Sequence, residues 1–108
     1  MRPIEPFVYI LANRKQGALY TGATSDLIKR IHQHRGASTA GFAVDHGTNR
    51  LVWFEQHETM DTAIQREKRI KKWNRLWKIK LIEDQNPDWR DLALDFGFEP
   101  LPSLRVTE

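Results

Sequence analysis

No cysteine occurs among the 108 residues, which excludes a disulfide framework, a CxxC zinc site and a thiol nucleophile. Long apolar runs are missing too: nothing approaches the ~18 residues of a membrane span. The stretch Met1-Arg2-Pro3-Ile4-Glu5-Pro6 lacks the layout of a signal peptide. The four histidines are scattered, and none forms an HxxxH pair with a glutamate between. There is no internal repeat and no low-complexity tract. These absences lead to the expectation of a cytoplasmic protein with no membrane partner and no structural metal. What is present, 40% hydrophobic and 29% charged residues, is an ordinary globular mixture. A chain of this length suits one domain that buries ~60–70% of its unfolded surface.

The net charge of +3 conceals a strong polarity. Residues 1–61 carry 7 Lys/Arg and 6 Asp/Glu, close to balance. Residues 62–82 carry 8 Lys/Arg against a single acid, Glu67, and residues 83–108 carry 2 against 7. A block of positive charge that dense attracts phosphates, and it equally suits a solvated helix face.

Phe7–Asn13 (FVYILAN) reads as a strand buried on at least one side. Asn13–Gly17 has turn chemistry, and Ala18–Gly22 resumes as a second strand, so the two form a hairpin. Thr24-Ser25-Asp26 supplies N-cap candidates for a helix whose Leu27, Ile28, Ile31 and His34 share a face, with Gly36 as its stop. Ala37–Thr48 reads as a loop and Arg50–Gln56 as a third strand. From Thr59 the helical period returns, with Met60, Ala63, Ile64, Glu67, Ile70 and Lys71 on one stripe. Asn74 opens a further helix whose apolar face is Leu76, Trp77 and Leu81. Pro87 ends regular structure, Asp88–Leu94 allows one or two helical turns, and Pro100 and Pro102 mark a loose end. The order β-β-α-β-α-α predicts an α+β (mixed α/β) domain, a small three-stranded antiparallel sheet flanked by helices.

Glu67 is the most informative residue. It is the lone acid of the basic block and lies on the apolar stripe, where a carboxylate is costly unless paired or bound to a metal. One reading is an ion pair with a neighbouring Arg or Lys; the other is a ligand to a hard divalent cation. Arg30 and His34, four apart, project from one helix face. They suit a phosphate fork and a proton shuttle, or simply a surface pair. Tyr9 and Tyr20 lie on the two strands of the hairpin and can converge across the ladder, in catalysis or in plain aromatic packing. Trp53, Trp73, Trp77 and Trp89 read as core or half-core residues, with base stacking as the alternative.

Taken in order, Phe7-Val8-Tyr9, Tyr20-Thr21-Gly22, Asp26-Leu27, Lys29-Arg30, His34, Arg66-Glu67-Lys68 and Ile70-Lys71-Lys72-Trp73 resemble the GIY-YIG nuclease superfamily, in particular its small stand-alone bacterial members. The resemblance runs from about Phe7 to about Leu92. It implies residues 1–95 as a nuclease-like domain and residues 96–108 as an acidic, flexible tail. It also implies hydrolysis of phosphodiester bonds in DNA with one divalent cation, Mg²⁺ or Mn²⁺. Matched residue by residue, Tyr9, Tyr20, Arg30, His34 and Glu67 would be catalytic, with Glu67 the metal ligand. Lys29, Arg66, Lys68, Lys71 and Lys72 would contact nucleic acid.

The first motif departs from the family pattern, with Phe7 and Val8 where Gly and Ile usually stand. Val44-Asp45-His46 puts an acid where relatives often carry basic residues, which weakens contact with a phosphate backbone. After Leu92 only acidic sequence follows, so little sequence specificity is expected unless a protein partner supplies it. Two functions fit: a metal-dependent endonuclease, with a place in DNA repair or recombination, or a nucleic-acid- or partner-binding module of low activity on the same fold.

Overall fold

The computed structural model describes residues 5–35 and 49–101. Phe7–Ala12 (β1) is apolar at every position, as a strand covered on both faces must be, and Val8 through Ala12 are fully buried. It is the middle strand of an antiparallel sheet ordered β2-β1-β3, between Leu19–Thr24 (β2) and Arg50–Gln56 (β3). The helices are Leu27–Arg35 (α1), Met60–Lys71 (α2) and Arg75–Gln85 (α3), and a 3₁₀ turn follows at Leu92–Phe96. The expected α+β fold and its β-β-α-β-α-α order are both present. The loop expected over Ala37–Thr48, including Asp45, and the helix stop at Gly36 lie outside the described residues.

Each helix starts on a side-chain cap. Asp26 Oδ1 accepts from Lys29 N, Thr59 Oγ1 from Thr62 N and Asn74 Oδ1 from Trp77 N, all at 3.0–3.1 Å. Each satisfies an amide that the helix cannot. In the hairpin loop Asn13 Oδ1 accepts from Ala18 N at 2.9 Å. That side chain folds over Gly17, where a Cβ would come within 2.0 Å of it, so only glycine fits there.

Strand alternation splits the core in two. Val8, Ile10 and Ala12 face Ala63 and Ile70 of α2, Ile82 of α3, and Trp53 and Trp89. Tyr9 and Leu11 face Leu27 and Ile31 of α1 and Ala93 of the 3₁₀ turn. The β1–β3 register shifts between Ile10 and Leu11, leaving Val52 as an extra residue. A bulge strands a backbone group, and buried Asn86 satisfies it by donating from Nδ2 to the Val52 carbonyl at 3.0 Å.

Three expectations need correction. Leu76 and Trp77 do not form the buried face of α3: they are 75% and 59% exposed, and Ile82 is buried instead. Apolar residues surround this helix at 76, 77, 79, 81 and 82, so the pattern alone cannot choose a face. Trp77 accordingly is not a core residue, whereas Trp53 and Trp89 are fully buried and Trp73 half-buried. The helical turn lies at Leu92–Phe96, not from Asp88, because Trp89 takes a left-handed φ of 56° and Asp91 is the cap. The segment beyond residue 95 is described as far as Leu101. There the Phe96 ring lies 5.5 Å from that of Phe54, and the Phe98 ring 4.4 Å from that of His32.

Candidate active site

The hairpin register pairs Tyr9 with Gly22 and Leu11 with Tyr20. Tyr9 and Tyr20 are therefore diagonal neighbours on one face, with ring centroids 6.3 Å apart. α1 crosses that same face, and its last turn inserts buried His34 between them. The His34 ring is 5.0 Å from Tyr20 and 6.0 Å from Tyr9, with Nε2 3.3 Å from the Tyr9 hydroxyl. Arg30, one turn earlier, reaches the same hydroxyl and interacts with it by charge and a hydrogen bond. Gly22 makes the arrangement possible: a Cβ there would lie 2.5 Å from Tyr9 Oη.

Burial, reinforced by the neighbouring Tyr20, pushes the Tyr9 phenol up to about 12, against the opposing pull of Arg30. Tyr9 is thus a neutral donor at physiological pH. Burial and then the Arg30 charge lower His34 to about 4, so its imidazole is neutral and able to accept a proton. One fixed cation, a phenol and a neutral imidazole on one face can bind a phosphodiester and move a proton beside it.

Glu67 lies on α2, which packs mainly on the edge strand β2. α2 packs against β2 and β1 on the sheet face opposite α1. Among the described residues, the Glu67 ion pair is with Lys71, at 2.7 Å. The Glu67 side chain is only 16% exposed. Of the expected nucleic-acid contacts, Lys29, Lys68, Lys71 and Lys72 are exposed. Arg66 is half-buried, donating from Nε to Glu55 at 3.1 Å and lying 5.5 Å over the Trp73 ring. Among the described residues no three His, Asp or Glu side chains gather as a metal cage. A single carboxylate still fits a hard cation such as Mg²⁺, which keeps several waters and shares substrate phosphates.

Comparison with known proteins gives the family. The family profile described as the GIY-YIG catalytic domain matches residues 5–80. The chain belongs to the GIY-YIG family. A UPF0213 protein of Staphylococcus saprophyticus is 36% identical over 78 residues, covering 72% of this chain and 94% of that protein. One of Clostridium perfringens is 40% identical over 80 residues, covering 74% and 85%. The solution NMR structure of a UPF0213 protein from Bacillus halodurans is 28% identical, with a TM-score of 0.53 over 83% of this chain and 95% of that one. This GIY-YIG chain is thus similar to small bacterial proteins over most of their length.

Two contributions to the site have no motif of their own. Gly22 was legible only as part of a motif, although counting the register back from the Ala12–Leu19 pair places it under Tyr9. Asp91, which ties the end of α1 to β3, gives no local signal: its partner Arg35 is 56 residues away.

Proposed function

We propose that this protein is a metal-dependent endonuclease that hydrolyses phosphodiester bonds in DNA with little sequence specificity, in a role such as repair or recombination. The observation that carries this reading is the convergence of Tyr9, Tyr20, Arg30 and His34 from three elements onto one face.

Arg30 binds the scissile phosphate and offsets the charge that grows on its oxygens in the transition state. The Tyr9–His34 hydrogen bond provides a proton path: Tyr9 takes a proton from the attacking water while passing its own to His34 Nε2. A bound phosphate lessens the Arg30 field that, after burial, helps to keep the imidazole neutral, which makes this transfer easier. Tyr20 walls the site and orients the other two rings. Glu67 would hold the divalent cation, which when bound supplies Lewis-acid stabilisation of developing negative charge. Lys29, Lys68, Lys71 and Lys72 would hold the flanking backbone.

The test is cleavage of single-stranded, duplex and branched DNA with and without Mg²⁺ or Mn²⁺, beside calorimetric titration of Mn²⁺. Because Lys71 occupies the carboxylate, Lys71→Met should bind Mn²⁺ more tightly than wild type, and Glu67→Gln should bind none and not cut. Wild-type Mn²⁺ affinity and wild-type cutting in Glu67→Gln would reduce Glu67 to an ion-pair partner. No cleavage of any substrate would leave the binding-module reading.

A further inference from the structure

α3 leaves an aromatic surface uncovered. Trp77 is 59% and Leu76 75% exposed. The Trp77 ring meets Trp73 edge-to-face at 5.9 Å, and together with Lys80, Leu81 and Asp84 they line a shallow hollow of about 340 Å³. Trp73 is anchored in turn by Arg66 over its ring. The indole of Trp77 is therefore held at its base and open outward.

The surrounding charge states what the surface accepts. The side chains of Lys68, Arg69, Lys72 and Lys78 make no hydrogen bond or ion pair with any described residue. Four of the acids that follow are already engaged within the protein. Glu83 accepts from Trp89, Asp84 pairs with Lys80, Asp91 with Arg35, and Asp95 with Arg90. An external polyanion thus meets unmatched cations here. The Lys80–Asp84 pair, 3.4 Å long and exposed on both sides, holds Lys80 only weakly and can yield it to a phosphate.

We infer that the α3 face carrying Trp77, Leu76 and Lys80 is a binding site for an unpaired stretch of nucleic acid, with a base stacked on Trp77 and its phosphates on the neighbouring lysines. The class of ligand rests on the nuclease reading above; its unpaired form rests on α3 itself. A duplex hides its base faces, so a half-exposed indole can stack only on a base outside the helix, and such stacking tolerates any sequence. The protein thereby favours DNA with a single-stranded segment beside the cut.

The test is equilibrium binding in EDTA of a labelled oligonucleotide, single-stranded and as duplex, to wild type, Trp77→Ala, Trp77→Phe and Lys72→Ala, with light scattering on each protein. Trp77→Ala should weaken single-strand binding by about 5- to 100-fold, the worth of one stacked base, and duplex binding by less than about twofold. Trp77→Phe should recover most of the loss, and Lys72→Ala should weaken both forms alike. Equal loss on both forms with Trp77→Ala, no loss, or a wild type that ignores single strands overturns the inference. So does a dimeric wild type that Trp77→Ala makes monomeric with single-strand affinity unchanged, which assigns the face to a second copy. Duplex cleavage by a protein whose single-strand binding ignores Trp77 removes this inference alone. Trp77-dependent binding by a protein that cuts nothing supports it and removes the nuclease reading.

Discussion

A phenol against a neutral imidazole, with a guanidinium beside both, is an arrangement a protein sustains only by keeping water away from the ring nitrogens. His34 is buried and Arg30 opposes its protonation, so its folded value of about 4 lies below the unfolded value of 6.5. The unfolded chain therefore takes up the proton first as pH falls, and stability is lost between about pH 6.5 and about pH 4, by up to ~3 kcal/mol. NMR titration should place His34 near 4, and urea unfolding of His34→Gln should show a flatter dependence over that window. Titration of His34 near 6.5 would mean an imidazole open to water. Gly22 tests the position of Tyr9. The Cβ of Gly22→Ala would strike Tyr9 Oη at 2.5 Å and Cζ at 2.6 Å, and a displacement of about 1 Å at a reacting group can cost ~10²-fold. Gly22→Ala should keep its far-UV CD spectrum and lose cleavage by about that factor; an unaltered rate would make the Tyr9 position irrelevant. Residue spacing made Arg30 and His34 legible, since four residues along a helix share a face. The ion partner of Glu67 was not legible, because eight cations surround it in sequence and only the fold selects Lys71.

At the scale of elements, α1 is the part that must be held, because it brings both Arg30 and His34 to the tyrosines. Its end is fixed by Arg35, which donates to Asp91 Oδ2 at 2.5 Å and to the Asn49 carbonyl at 3.1 Å. Asp91 Oδ1 accepts from the amides of Leu51 and Ala93, both at 3.2 Å. One carboxylate thus joins α1, β3 and the 3₁₀ turn. Removing one partner of a buried pair leaves the other charge stranded. Asp91→Ala should destabilise by about 3 kcal/mol and lower Tm by roughly 12 °C or more; a shift within about 2 °C in thermal melts would show that the pair contributes nothing. The bounds of β3 and the cap at Asn74 were readable because apolar runs and cap chemistry are local. The buried side of α3 was not, since its apolar residues lie all around it, and neither was the reversal at Trp89, which is fixed by Asn86 bonding the Arg90 amide and carbonyl.

Across the whole molecule, the sheet separates two tasks. One face, under α1, gathers Tyr9, Tyr20, Arg30 and His34; α2 and α3, packed on the other, carry the surplus lysines. No helix among the described residues is long and apolar enough to cross a membrane. Lys68, Lys71, Lys72 and Lys80 are exposed, where an anionic polymer can reach them. The family and the order of elements were legible because the motif residues fall in sequence order on β1, β2, α1 and α2. The division between faces required the fold. That division predicts that catalysis and binding come apart on mutation: Arg30 acts where charge builds in the transition state, while binding is shared among many cations. Single-turnover cleavage measured beside equilibrium binding for Arg30→Ala tests this most directly. The rate should fall by a factor on the order of 10² to 10³ with binding weakened by less than about threefold; rate and binding falling in equal proportion would contradict it.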